Sequence, residues 1–167
     1  MTHNIIFCIV CQVIFLLNNI FGYCIFELFL AYLRNINSYS NISTQKYMIS
    51  IENFAIRKTD SEFIQSSLYH NSIKKFGKAP LIIFAHGFKG FKDWGFVSYL
   101  ANYFGNKGFF VITFNFSNNG VGNSLTVFDE LDKFANNTFS REVNELSQII
   151  DAYKNGFFGE TVNTKIG

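Results

Sequence analysis

Leu81-Ile82-Ile83-Phe84-Ala85-His86-Gly87-Phe88-Lys89-Gly90 is the stretch whose reading decides the fold. Five consecutive apolar residues follow Pro80, whose missing N–H is tolerated at the first position of a strand. An unbroken apolar run of this length is what a strand covered on both faces of a parallel sheet looks like. His-Gly-Phe then turns the chain sharply, and the spacing of Phe96, Val97, Leu100, Tyr103 and Phe104 predicts a helix over residues 94–107 that Gly108 stops. Residues 109–114 (FFVITF) read as a second buried strand, expected beside 81–85.

Upstream, residues 47–56 and 62–69 alternate apolar and polar side chains around the turn 57–61, the pattern of a hairpin with one covered face. Downstream, residues 115–123 form a polar loop in which Asn119-Gly120 and Gly122 supply positive φ angles. Val143, Leu146, Ile149, Ile150 and Tyr153 then mark a helix over 139–155, with Ser140 as the expected N-cap and Gly156 as its stop. Alternating strands and helices define an α/β class. Its expected form is an N-terminal β-hairpin plus parallel strands flanked by helices, with an apolar helix in front.

That front segment, IIFCIVCQVIFLLNNIFGYCIFELFLAYL over residues 5–33, exceeds the about 20 apolar residues that span a bilayer. No Lys or Arg precedes it, and Arg34, Lys46, Arg57 and Lys58 follow, which would leave the body on the cytoplasmic side. A second reading stands beside this one. Met48 opens an alternating strand, so translation starting there would make the first 47 residues a spurious extension and the protein simply cytoplasmic. The organisation is therefore an apolar segment over 1–34, a Ser/Asn-rich linker over 35–46 and an α/β domain over 47–167.

All three cysteines (Cys8, Cys11 and Cys24) lie in the apolar segment. Cys8-x-x-Cys11 has metal spacing, but zinc wants four ligands and no second pair answers it. The 167 residues suit about one domain. A net charge of +2 calls for no nucleic-acid partner, and charged residues at 16% fall below the usual ~25%. Phe 22 and Tyr 8 against Pro 1 point to an AT-rich coding sequence.

The strand, the His-Gly-Phe turn, the loop to Gly95 (LIIFAHGFKGFKDWG), the second strand with its loop (FFVITFNFSNNGVG) and the helix over 139–155 together resemble the α/β-hydrolase family. The likeness is to its serine aminopeptidase-like and dienelactone hydrolase-like members. It runs from about Met48 to Gly167 and covers the front half of that family's domain. It implies a serine hydrolase acting on a carboxylic ester, thioester or amide, with a small acyl substrate and no metal or organic cofactor. It assigns the backbone N–H of Phe88 as one donor to the acyl oxyanion, Gly87 as the residue that lets the turn close on substrate, and His86 as support for the loop. The family's nucleophile stands in Gly-x-Ser-x-Gly, followed by an acid and then a histidine. No such motif occurs here. The chain as written is expected to be an inactive fragment, whose reading frame either continues past codon 167 into the elbow or stops there as a gene remnant. The alternative is a non-catalytic, membrane-anchored hydrolase-like protein or a gene remnant that never folds alone.

Other residues invite weaker readings. Ser117 and Ser124 lie in loops without flanking glycines on both sides, so neither is an expected nucleophile. Gly87-x-x-Gly90 lacks the ending of a phosphate-binding loop. Lys89 and Lys92 read as solvated loop lysines, Asp93 as the cap of the helix behind it, Trp94 as packing for the loop, and His70 as a strand-end residue with no evident partner.

Overall fold

The structure, a computed structural model, describes residues 6–10, 49–58, 62–71 and 80–159, the first five as backbone. Among the described residues, five strands form one sheet: β1 (Ile6–Val10), β2 (Ile49–Arg57), β3 (Phe63–Asn71), β4 (Leu81–Ala85) and β5 (Phe110–Phe114), in the spatial order β1-β4-β5-β3-β2. β2 and β3 pair antiparallel across nine residues, from Ile49 opposite Asn71 to Arg57 opposite Phe63. β4 and β5 run parallel, with Leu81 beside Phe110 and Ala85 beside Phe114, as the two apolar runs predict. β3 joins β5 antiparallel, which makes the sheet mixed.

The described residues include three helices, α1 (Val97–Asn106) between β4 and β5, then α2 (Leu131–Ala135) and α3 (Phe139–Lys154) after β5. Because side chains alternate along a strand, the sheet splits its apolar residues between two faces. Leu81, Ile83, Phe110, Ile112 and Phe114 meet Ile149 and Tyr153 of α3 on one face. Ile82, Phe84 and Val111 meet Val97, Ala101 and Phe104 of α1 on the other. The described residues thus form an α/β/α arrangement of layers, with β4 and β5 buried along their whole length.

Two expectations are corrected. The apolar front segment does not begin as a helix, because residues 6–10 form a strand parallel to β4, with Ile6 beside Leu81 and Val10 beside Ala85. Ile-Phe-Cys-Ile-Val is dominated by β-branched and aromatic side chains, which suit a strand, and an unbroken apolar run carries no period to separate the two forms. The rest of the 5–33 segment and the 35–46 linker lie outside the described residues, and no helix among the described residues is long and apolar enough to cross a membrane. The second correction concerns α3, whose N-cap is Thr138, not Ser140. Thr138 is extended (φ −137°, ψ 151°) and its side chain accepts from the Arg141 N–H, the geometry a capping hydroxyl needs. α2 was not foreseen, since its five residues carry too short a period to read.

Candidate functional site

In an open sheet with parallel strands, ligands bind outside the carboxyl ends of the strands where the chain's direction of travel across the sheet reverses. Here the chain passes over the β5 position in going from β3 to β4, then steps back through α1 to fill it. The reversal falls at β4, whose carboxyl end is Ala85 followed by His86-Gly87-Phe88. Beside it, β5 ends at Phe114 and opens into the loop at Asn115.

The two loops are tied together by buried polar side chains. Nε2 of His86 accepts from the Phe116 N–H at 3.2 Å and lies 3.4 Å from Nδ2 of Asn119. An acceptor at Nε2 leaves the ring proton on Nδ1, which donates to the Gly87 carbonyl at 3.0 Å. His86 is 7% exposed. Burial pushes its pKa down to about 4, against the smaller opposing pulls of the Gly87 carbonyl and the Glu145 carboxylate. It is therefore a neutral structural ring at pH 7. Asn119 also donates to the Gly90 carbonyl (3.3 Å), and Asn115 accepts from the Lys92 N–H (2.6 Å).

Within the turn, the Gly90 N–H donates to the Gly87 carbonyl at 2.8 Å, and Lys89 adopts a left-handed φ of 56°. A Cβ on Gly90 would stand 2.9 Å from the Gly87 carbonyl oxygen and 3.1 Å from the His86 Cβ. Both obstacles are rigid, so Gly90→Ala should cost about 1–3 kcal/mol and should move the Phe116 amide resonance. A urea midpoint within error of the wild type would show the turn to be looser than it is drawn here. Phe88 projects its ring outward, 70% exposed and 5.3 Å from the ring of Phe134. Among the described residues, no group accepts a hydrogen bond from its backbone N–H.

Several loop residues behave otherwise than their sequence suggests. Lys92 is buried, its ammonium donating to Ser67 Oγ at 2.8 Å and pairing with Asp93 at 2.5 Å. Asp93 does not cap α1, because the N-cap position is Phe96 and carries no side-chain bond. Its carboxylate instead accepts from Lys92 and, at 3.4 Å each, from the Tyr69 and Ser98 hydroxyls. Trp94 is 59% exposed and does not pack the loop down. His70 does find partners, the Glu52 carboxylate and the Asn71 carbonyl, each at 3.3 Å.

A second polar cluster lies on the α3 side. Glu145, 1% exposed, accepts from Lys58 Nζ (2.7 Å), Ser117 Oγ (2.6 Å) and the Ser117 N–H (2.8 Å). Lys58 also donates to Ser117 Oγ at 3.2 Å. A serine beside a lysine suggests a nucleophile and its base. The charges say otherwise. Burial alone would lower the Lys58 pKa, but its bonds to Glu145 and Glu62 outweigh that and leave it raised. An ammonium so held does not take a proton from Ser117. The cluster ties the β2–β3 hairpin to α3 and to the loop after β5. Ser124 Oγ accepts from the Val127 N–H at 2.9 Å and has no base beside it.

Clefts open beside this second polar cluster. One of about 310 Å³ is lined by Lys58, Glu62, Arg141 and Asn144. The other, about 110 Å³, lies over the loop after β5, with Phe116, Ser117 and Asn119 in its wall. Neither is lined by His86, Gly87 or Phe88. No group of three His, Cys, Asp or Glu residues suited to a metal ion occurs among the described residues. No protein-family model matches the chain, and no curated protein is significantly similar to it.

Proposed function

We propose that this chain is the oxyanion-binding half of an α/β-hydrolase domain, built to hydrolyse a carboxylic ester, thioester or amide. The observation that carries the reading is the His86-Gly87-Phe88 turn at the carboxyl end of β4, where the strand order reverses. Its Phe88 N–H has no acceptor among the described residues. A backbone donor already held in place meets developing negative charge without reorganising, and one such donor is worth about 3–4 kcal/mol in acyl transfer. His86 contributes by holding the turn, since its neutral ring bonds both the Gly87 carbonyl and the Phe116 N–H. The 167 residues include no Gly-x-Ser-x-Gly, so the nucleophilic serine of this reaction is not among them. The substrate is a small acyl compound, and no metal or organic cofactor takes part.

Two measurements test the reading. Titrating the ¹⁵N-labelled chain with an alkyl phosphonate, a stable stand-in for the acyl oxyanion, should shift the Phe88 amide resonance more than those of the α3 surface. A Phe88 resonance that stays put would remove the oxyanion site. A fluorophosphonate probe should leave the purified chain unlabelled, and covalent labelling mapped to Ser117 or Ser124 would relocate the active site. A second reading, a non-catalytic hydrolase-like protein, is favoured by one observation: neither cleft is lined by residues 86–88. It predicts no phosphonate response at Phe88.

A further inference from the structure

We propose that one shoulder of α1 is a docking surface for an anionic lipid bilayer. Residues 96, 99, 103 and 107 recur at helical spacing and so lie along one side of the helix. They carry Phe96, Tyr99, Tyr103 and Lys107. The three aromatics are 56%, 72% and 43% exposed, although α1 has Val97, Ala101 and Phe104 to bury against the sheet. Trp94, just ahead of the helix, is likewise 59% exposed. Burying these rings on the sheet would have been the ordinary outcome for apolar surface, and exposed apolar patches mark interaction sites.

The chemistry of the patch selects the partner. Tyr and Trp combine an apolar body with a polar tip, the combination that settles at the level of lipid headgroups. Asp93, whose carboxylate accepts from Ser98 of α1, is already paired with the Lys92 ammonium. No Asp or Glu occurs from residue 94 to residue 128, and Lys107 stands at the end of the row with its ammonium 5.8 Å from the centre of the Tyr103 ring. Lys89, exposed at the other end of the molecule's β4–α1 loop, adds a second cation. Against a second copy of this face, Lys107 would meet only Asp93, a carboxylate that Lys92 already holds. Against a layer of anionic headgroups, each lysine near the surface is attracted. The proposal depends neither on the apolar segment 5–33 nor on the hydrolase reading.

The chain contains one tryptophan, Trp94, so its fluorescence reports on this face alone. Full-length protein is mixed with phosphatidylserine–phosphatidylcholine vesicles and, separately, with pure phosphatidylcholine vesicles. With the anionic vesicles, Trp94 emission should shift to the blue and be quenched by brominated phospholipid, and high salt should weaken the effect. The combined variant Phe96→Ser/Tyr99→Ser/Tyr103→Ser should lower partitioning by at least about tenfold, from the loss of apolar contact alone. Lys107→Glu, a surface change that leaves every ring in place, should remove the preference for anionic vesicles. Vesicle association without a Trp94 response would place attachment elsewhere, including residues 5–33, and would overturn the proposal. So would a concentration-dependent Trp94 shift in the absence of lipid, which indicates self-association, or unchanged partitioning of a folded combined variant.

Discussion

Replacing Glu145 with alanine is expected to lower stability by about 3 kcal/mol, the lower end of the range for breaking a buried ion pair by removing one partner. The carboxylate is 1% exposed and accepts three hydrogen bonds, from Lys58, the Ser117 hydroxyl and the Ser117 N–H. Truncation strands the Ser117 N–H in the protein while Lys58, with 18% of its side chain exposed, can still reach water. The loss should therefore be asymmetric. Lys58→Met should cost more, because it leaves the buried Glu145 carboxylate without its counter-ion, and Glu145→Gln should cost about 1–2 kcal/mol, because an amide oxygen still accepts. Urea unfolding of the three variants checks the order, and a double-mutant cycle of Lys58 with Glu145 gives their coupling. A smaller loss for Lys58→Met than for Glu145→Ala, or a loss below about 1 kcal/mol for either, would contradict a buried anchor.

The second large effect is a dependence of stability on pH that belongs to His86. Its folded pKa, about 4, lies below the ordinary 6.5 because burial disfavours the imidazolium. Above pH 6.5 both the folded and unfolded rings are neutral, and the contribution is fully present. Between pH 6.5 and 4 the unfolded chain takes up a proton that the folded one refuses, so stability falls as the solution is acidified. Below about pH 4 both states are protonated and this loss is complete. A separation of that size corresponds to about 3 kcal/mol. Glu142 works in the opposite direction, since burial raises its pKa and protonation on acidification favours the fold. The difference between wild type and His86→Gln isolates the histidine: the variant's stability should fall less steeply between pH 6.5 and 4. Parallel profiles would mean that the ring is solvated in the native protein.

How far the sequence is legible here depends on how local the deciding physics is. β4 and β5 are readable because burial on both faces writes itself as an unbroken apolar run, and the hairpin because burial on one face writes itself as alternation. The same apolar signal misleads at Ile6–Val10, where it is equally compatible with a helix and only β-branching leans towards a strand. Polar residues mislead more. Lys92 and Asp93 look like a solvated lysine and a cap because those are the common fates of such residues in a loop. What holds Lys92 in the interior is Ser67, twenty-five residues upstream and brought in by β3, and what draws Asp93 off the cap is Lys92 with the Tyr69 and Ser98 hydroxyls. Glu145 carries no sequence signal of its role, because its partner Lys58 lies eighty-seven residues away and is delivered by the turn after β2. At the turn itself, Gly87 and Gly90 are visible in sequence, whereas the bonds from His86 and Asn119 across to the neighbouring loop depend on the parallel pairing of β4 with β5.

The position of β5 also constrains how the chain is assembled as it leaves the ribosome. Among the described residues, β5 is the last strand in sequence but the middle one in space, flanked by β4 on one side and β3 on the other. Until residue 114 has emerged, the β2–β3 hairpin and β4 each present an edge with no neighbour, although both are already synthesised. Pairings that must wait for distant sequence form slowly, and waiting edges invite association with other chains. The nascent protein therefore passes through a window of about thirty residues of synthesis, roughly two to six seconds at ordinary elongation rates, in which two unfinished sheet pieces coexist. Arrival of Phe110–Phe114 closes both at once.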